Sequence, residues 1–228
     1  MKRIISLLLV AVLAVCCLAS CEDASALGFE AVAEMYKISN PTKRVAIATQ
    51  QAGDIELSTE IVLTEAVIDG KKAAKMETHT VEFRSVDDGS GKEIVSKLKE
   101  TTEVLGYLEG KGVCKIENGK VGSWDAEAAS IIPESGAMAL NLDAEKVTDI
   151  KIENLTLSFV VAKENIAAVF GEGLEIPASA NVTIVTDGSR VNSVKVEYVV
   201  PANSETMAPE SIVTIEVKYT YDLESVSF

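Results

Sequence analysis

The sequence predicts a mainly β protein with a few helices, built on an antiparallel sheet. Two observations predict this class. Apolar and polar residues alternate with a period of two over much of the chain after Arg44, as in strands with one buried and one solvated face. Asp-Gly or Asn-Gly pairs separate several of these segments, and such pairs supply the positive φ angles of tight hairpin turns. Segments with helical periodicity are few and short.

The strongest alternation lies near the end of the chain, where Val213, Ile215, Val217, Tyr219 and Tyr221 alternate with polar residues. A second such strand carries Val194, Val196, Tyr198 and Val200, and a third carries Ile55, Leu57, Ile61 and Leu63. The predicted hairpin turns are Asp69-Gly70, Asn118-Gly119 and Asp187-Gly188. Each therefore marks a place where the chain reverses between neighbouring strands.

Two segments carry a mixed signal. Ile150 and Ile152 occupy even positions, whereas Leu155 and Leu157 occupy odd ones, so we expect a bulge near Glu153-Asn154 that bends a strand and curves the sheet. Lys92 to Leu105 fits either a helix or a strand, and its apolar spacing favours a helix.

Helices are predicted at two places. Leu27, Ala31, Met35 and Ile38 recur at helical spacing before Asn40-Pro41, and Ile166, Val169 and Phe170 form a short amphipathic turn closed by Gly171 and Gly173. Residues 126–145 have no sustained period and predict a loop with a helical piece.

The first twenty residues are typical of a secretory signal. Lys2 and Arg3 precede an apolar run from Ile4 to Leu18, interrupted by Ser6. About 15 residues rise roughly 22 Å as a helix, less than the ~30 Å of a bilayer's hydrocarbon core. We therefore predict a cleavable segment over residues 1–20, not a permanent transmembrane helix.

Leu18-Ala19-Ser20-Cys21 resembles the lipobox of bacterial lipoproteins. The resemblance implies cleavage before Cys21, acylation of its thiol with fatty acids such as palmitate, and a lipid anchor on the extracytoplasmic face of a bacterial membrane. The alternative is an ordinary signal peptide followed by an incidental cysteine. Residues 21–41 are then the lipidated N-terminus, tether and first helix, and residues 42–228 a single antiparallel β-rich domain.

Composition excludes several classes of function. The 228 residues include 35 acidic and 21 basic ones, for a formal net charge of −14, which argues against nucleic-acid binding. One histidine and no cysteine pair at zinc spacing predict no metal site and no cofactor. With Cys21 acylated, Cys114 has no disulfide partner and is expected to be a small buried residue.

The order of elements is similar to that of the outer-membrane lipoprotein carriers (LolA-like half-barrels) and related lipid-binding lipoproteins. The similarity covers roughly Ala24 to Phe228 and lies in an N-terminal helix, long antiparallel strands, a late helical insertion and a final three-strand meander. It implies a strongly curved sheet with helices on its concave side, enclosing apolar space for acyl chains. No ligand-binding residue transfers by motif.

Candidate chemistry is sparse. His79 has no nucleophile motif beside it, and a structural role is expected for it. Carboxylate pairs such as Glu56 with Glu60 and Glu172 with Glu175 lack an aromatic sugar platform. Trp124 is expected either to anchor the core or its rim or to close the mouth of a pocket. Gly106, Gly110 and Gly112 do not follow a strand into a helix, as the glycines of a phosphate loop do. The acidic loop from Asp87 and Asp88 to Gly91 reads as a solvated turn, with Ca²⁺ binding as the weaker alternative.

We therefore predict a non-enzymatic, membrane-anchored protein that binds or carries an apolar ligand, with lipid as the leading class. The rival hypothesis is a cell-envelope interaction or scaffold module with a filled core, which would bind a protein partner through an acidic surface and edge strands. A hydrolase is a third possibility, and it would need acidic residues clustered around His79 in a cleft.

Overall fold

The structure is a computed structural model that describes residues 24–38, 40–87, 89–90, 93–132, 140–171, 176–204, 207–221, 226 and 228. The predicted signal peptide and Cys21 lie outside the described residues. The helices are α1 (Ala24–Ile38) and α2 (Ile166–Phe170), with single 3-10 turns at Ala144–Lys146 and Lys163–Asn165. The strands are β1 (Lys43–Ala52), β2 (Ile55–Ile68), β3 (Lys71–Asp87), β4 (Glu93–Leu108), β5 (Gly112–Glu117), β6 (Lys120–Asp125), β7 (Thr148–Glu153), β8 (Thr156–Val161), β9 (Ala180–Thr186), β10 (Val191–Val200) and β11 (Ser211–Thr220).

All eleven strands form one antiparallel sheet in the order β6-β5-β4-β3-β2-β1-β11-β10-β9-β8-β7. The mainly β class predicted from the sequence is confirmed. β1 joins the first six strands to the last five by pairing with β2 on one side and β11 on the other. The sheet is not closed, and its curvature is consistent with a half-barrel.

The predicted hairpin turns are confirmed. Asp69-Gly70 and Asn118-Gly119 each form a two-residue turn with both residues at positive φ, and this conformation matches the twist of the flanking strands. Asp187-Gly188 belongs to a four-residue loop, in which the Asp187 carboxylate accepts hydrogen bonds from the backbone N–H groups of Ser189 and Arg190.

The bulge predicted near Glu153-Asn154 is wrong. Asn154 and Leu155 form a two-residue hairpin turn between β7 and β8, with φ angles of 46° and 66°. The apolar parity changes there because the two sets of residues lie on different strands. A register shift lies instead between Thr148 and Lys151 of β7.

The helix favoured for Lys92 to Leu105 is also wrong. Lys92 is not described, and from Glu93 onward the segment is strand β4, paired with β3 from Ala73–Leu108 to Asp87–Glu93. A register shift opposite Glu82 and Phe83 makes Leu98 an extra residue in the strand. This shift breaks the period-two alternation, and the remaining apolar spacing resembles that of a helix.

Helix α1 is confirmed, and of its predicted apolar stripe Met35 packs against the core, whereas the prediction is wrong at Ala31 and Ile38. The helix buries Phe29, Val32 and Ala33, whereas Ala31 is exposed and Ile38 is 73% exposed. Phe29 makes an edge-to-face contact with Phe159 of β8, with 5.6 Å between ring centroids. Residues at i, i+3 and i+4 form one face of a helix, and here that face is set by the largest side chain.

The sheet has two faces, which we define by their residues. Face A carries Phe159, Val196, Arg44 and Leu57, and face B is the opposite side. The main core lies on face A of β8, β9 and β10, where α1, α2 and the segment around Leu140 cover it. Its most deeply buried sheet residues are Leu157, Phe159, Val161, Ala180, Val182, Ile184, Val191, Val194 and Val196.

A second, smaller cluster lies on face B of β3 to β6. Ala73, Cys114 and Ile116 are buried there, and Trp124 packs edge-to-face against Phe228 with 5.6 Å between ring centroids. Cys114 is a buried free cysteine, as predicted, and burial raises the pKa of its thiol. Trp124 is a packing anchor of this cluster, which was one of its two expected roles.

Candidate functional site

The histidine of the predicted hydrolase alternative lies on face B at the surface. His79 Nε2 is 2.8 Å from Glu100 Oε1, and the other oxygen of Glu100 pairs with Lys97. Lys97 and, to a smaller degree, His79 hold the pKa of the Glu100 carboxyl below its usual range. The side chains of His79 and Glu100 are 40% and 43% exposed, so this is a solvated cross-strand hydrogen bond.

The carboxylates named in the sequence analysis do not come together with this histidine into a cleft. Glu60 pairs across the ladder with His79, but Glu60 is exposed. Asp87 accepts a hydrogen bond from the Gly89 backbone, as a turn residue does. Across the described part of the chain, no group of three or more His, Cys, Asp or Glu side chains has an arrangement that could hold a metal ion. Asp88, Glu172 and Glu175 lie outside the described residues.

The most distinctive feature of face A is that the helices of the described residues cover only part of it. Helix α1 contacts β7, β8 and β10. Beyond them face A continues over β11, β1 and β2, where Leu63, Val213 and Val217 are buried and the apolar side chains beside them are half-buried or exposed. We call this region the open patch and define it by Ala46, Ala48, Leu57, Ile61 and Ile215.

The middle strand of the open patch, β1, carries small side chains. Ala46 lies between Val217 and Ile61 in the ladder, and Ala48 lies between Ile215 and Thr59. Along β1 the open patch therefore presents two methyl side chains between longer neighbours. Leu57 of β2 is 40% exposed, whereas Leu157 of β8, on the same face, is fully buried.

A separate apolar pair lies on face A near the end of the β3–β4 hairpin, divided from the open patch by Glu82 and Arg84 of β3. Val86 and Ile94 face each other across that hairpin and are 51% and 50% exposed. Exposed aliphatic side chains that follow one another across several strands are typical of a binding surface, whereas single ones are ordinary.

A polar cluster is buried at the boundary between the covered and open regions. Arg44 of β1 is only 5% exposed, and it pairs with Tyr219 of β11 and Leu63 of β2 across the sheet. Its Nη1 donates to Glu65 Oε1, but its Nε has no hydrogen-bond acceptor among the described residues. A buried donor without an acceptor costs free energy, so this nitrogen needs an explanation.

Three tyrosines surround the Arg44 guanidinium. The Tyr219 hydroxyl is buried close to the Tyr36 hydroxyl of α1, but it makes no hydrogen bond of good geometry within the described chain. Burial raises the pKa of both Tyr36 and Tyr219, and burial lowers the pKa of Arg44. Tyr221 donates to the Val191 carbonyl at 2.6 Å and stacks with Arg190.

Sequence reasoning missed this cluster. Tyr36, Arg44 and Tyr219 come from α1, β1 and β11, and only the pairing of β1 with β11 brings them together. One signal was present: Arg44 has the same strand parity as Ala46 and Ala48, so it lies on the apolar side of its strand.

Two surface depressions are formed by described residues. One, of about 490 Å³, lies at the β5–β6 hairpin and is lined by residues that include Lys115, Lys120 and Ser123. The other, of about 290 Å³, lies beside the end of α1 and is lined by Ile38, Asn40, Ser189, Arg190 and Tyr221. Both are open to solvent and partly polar, so neither is the enclosed apolar cavity that the sequence analysis anticipated.

Comparisons with known proteins identify no family for this chain. No protein-family model matches the chain, and no curated protein matches it. A DUF1329 family protein from Desulfovibrio piger is 9% identical, with a TM-score of 0.27 over 87% of this chain and 94% of that one. The complex of MucA and MucB from Pseudomonas aeruginosa gives 8% identity and a TM-score of 0.15 over 86% and 94% of the two chains. Within the described residues no helix is long and apolar enough to cross a membrane.

Proposed function

We propose that the protein is a non-enzymatic, membrane-anchored extracytoplasmic lipoprotein that binds an apolar ligand, with the acyl chain of a lipid as its ligand class. The single observation that carries the proposal is the open patch. Apolar side chains continue across face A beyond helix α1, where they are half-buried or, at Leu57, exposed to water. We take face A as the concave side of the curved sheet, with α1 lying in it.

The energetics of such a site favour a weak, reversible complex. Complete burial of one methylene contributes roughly 0.8 kcal/mol, and an open face covers about half of each group. A chain of about 16 carbons would then gain roughly 6 kcal/mol, which corresponds to a Kd of tens of micromolar. This range suits a protein that takes up and releases lipid.

Binding of an apolar fluorescent probe, N-phenyl-1-naphthylamine, and its displacement by a long-chain lipid tests the proposal. We expect Leu57→Asp to weaken binding about 10-fold or more, because a carboxylate would have to be desolvated against the chain. Val95→Asp is the matched control, since Val95 is 60% exposed but paired with Ser85 on face B. Equal affinity of the two variants, or no lipid with protein purified from bacterial membranes, would contradict the proposal.

The anchor is tested separately. Mass spectrometry of the protein made in a bacterium should show cleavage before Cys21 and the added mass of acyl chains. Cys21→Ala should release the protein from the membrane fraction, since stable anchoring requires more than one acyl chain. An unmodified Cys21 in a membrane-free protein would leave ligand binding standing and remove the anchor.

The free edge of β4 favours a second candidate, an envelope interaction module. β5 pairs only with Leu105 to Leu108 of β4, so the backbone from Glu93 to Val104 faces no outer strand in the described part of the sheet. Ile94, Val95 and Leu98 are at least 50% exposed along it. Lys97 and Lys99 on this segment oppose unwanted strand pairing. Loss of a co-purifying protein partner on Leu98→Pro, with probe binding unchanged, would favour this function.

A further inference from the structure

We infer that the Arg44 cluster recognises the uncharged ester group of a bound lipid, so that the ligand is an esterified amphiphile and not a free fatty acid. The inference rests on the proposed function, because it assigns the polar end of the ligand whose acyl chain lies on the open patch.

The cluster is suited to contact a polar group. Arg44 is about 95% buried, and its Nε has no acceptor among the residues that the structure describes. The Tyr219 hydroxyl on the neighbouring strand is buried beside the Tyr36 side chain, with no hydrogen bond of good geometry to a described residue. Both groups can donate a hydrogen bond, and Arg44 and Tyr219 lie directly opposite each other on β1 and β11. An oxygen-bearing group placed between them would accept two hydrogen bonds.

The cluster adjoins the open patch. Arg44 and Ala46 are successive face A residues of β1, as Leu63 and Ile61 are of β2, about 7 Å apart along each strand. A ligand whose polar group lies at Arg44 would therefore extend its chain over Ala46 and Ala48 toward Leu57. No other strand interrupts this path, since β11, β1 and β2 are adjacent in the sheet.

Charge decides between an ester and a carboxylate. The Arg44 guanidinium is permanently charged, and Glu65 already neutralises it as a direct partner with a side chain only 21% exposed. A carboxylate ligand would leave this low-dielectric site with an excess negative charge, which is costly to bury. An ester carbonyl accepts the two free donor hydrogens and adds no charge.

The ligand needs access to the cluster. Tyr36 of α1 lies beside Tyr219, and the two unsatisfied atoms are out of contact with solvent. The end of α1 must therefore shift for the ester to enter. The exposed Ile38 at this end of the helix contributes little to holding it in place.

The test compares three ligands of equal chain length on the full-length protein: methyl palmitate, palmitate and hexadecane, each by displacement of N-phenyl-1-naphthylamine. We expect methyl palmitate to bind most tightly. Tyr219→Phe, which removes only the hydroxyl, should weaken the ester about 2- to 10-fold and leave hexadecane unchanged. Arg44→Lys keeps a charge for Glu65 but removes Nε, and should act in the same direction.

Tyr198→Phe is the matched control. Tyr198 lies on face A of β10 opposite Val213, and Val213 lies six residues before Tyr219 on β11. This variant should leave all three affinities unchanged. Tighter binding of palmitate than of its ester, or an ester affinity insensitive to both cluster variants, would overturn the inference while hexadecane binding still supported the proposed function. If none of the three ligands binds, the proposed function fails and the inference fails with it.

Discussion

The two halves of the sheet place their buried apolar clusters on different faces. In the half from β7 to β11, face A is covered by α1, α2 and the segment around Leu140, and face B is polar. In the half from β1 to β6, no described helix covers the open patch, although Leu63 and Ala74 are buried on face A, and a second buried cluster lies on face B around Cys114. One half has the features of a folding core, and the other has those of a binding surface.

This difference shows that apolar alternation alone does not distinguish a core strand from a ligand-binding strand. Leu57 and Leu157 occupy equivalent inward positions on strands of the same sheet, yet one is 40% exposed and the other fully buried. The covering element decides which role each plays. The proposed ligand therefore takes the position in one half that α1 takes in the other.

The largest expected effect separates the halves by stability. Leu157→Ala should lower the free energy of unfolding by about 2–5 kcal/mol, because it leaves a cavity in a packed core. Leu57→Ala removes the same atoms from a partly solvated site and should cost less than about 1 kcal/mol. Urea unfolding followed by circular dichroism measures both. Similar losses in the two variants would show that the open patch is packed like the core.

A smaller effect probes the face B cluster. Trp124 is the single tryptophan of the chain, so its fluorescence reports only on this half of the sheet. Phe228→Ala removes its edge-to-face partner and should cost roughly 0.5–1.5 kcal/mol with a red-shifted emission. Val199→Ala, on a 40% exposed side chain in β10, serves as the control and should leave the emission unchanged. An unshifted spectrum of Phe228→Ala would mean that the ring contact does not shield Trp124.

The smallest effect is a pH dependence at the boundary between the halves. Burial raises the pKa of Tyr36 and Tyr219 above the ordinary value of about 10. Groups with a raised pKa stabilise the fold while protonated, so this contribution is complete below about pH 10 and is lost as the pH rises above it.

We therefore expect the free energy of unfolding to fall above pH 10, with each tyrosine contributing less than about 1 kcal/mol by pH 10.5. Tyr219→Phe should make the decrease of the unfolding free energy with pH shallower. Tyr198→Phe is the comparison, since it shows how much the loss of another partly buried tyrosine hydroxyl changes this decrease. A pH profile of Tyr219→Phe identical to that of the wild type would contradict the burial of this hydroxyl.

The sequence predicted one half of the molecule better than the other, for a physical reason. In β10 and β11 the alternation of Val194 and Val217 with charged residues reflects a real core, and the predicted faces are the observed ones. In β4 the extra residue Leu98 breaks the alternation, and the strand resembled a helix. Bulges are set by pairing with the neighbouring strand, which a local pattern does not contain.

The candidate site was beyond sequence reasoning for a related cause. Its parts lie at Tyr36, Arg44 and Tyr219, and their proximity follows from a strand pairing that joins positions some 175 residues apart. The open patch also depends on where α1 ends in space, which depends on the face that Phe29 turns toward the sheet. The periodicity of the helix predicted its existence but not that face.

The most direct test of the central claim is paramagnetic relaxation from a lipid that carries a nitroxide on its acyl chain, measured on methyl groups of the protein by NMR. If the lipid binds on the open patch, we expect strong broadening of the Leu57, Ile61 and Ile215 methyl signals and little effect on those of Leu157 and Ile184. Broadening centred on Leu157 and Ile184, or equal weak broadening everywhere, would contradict the claim that the uncovered half of face A is the lipid-binding surface.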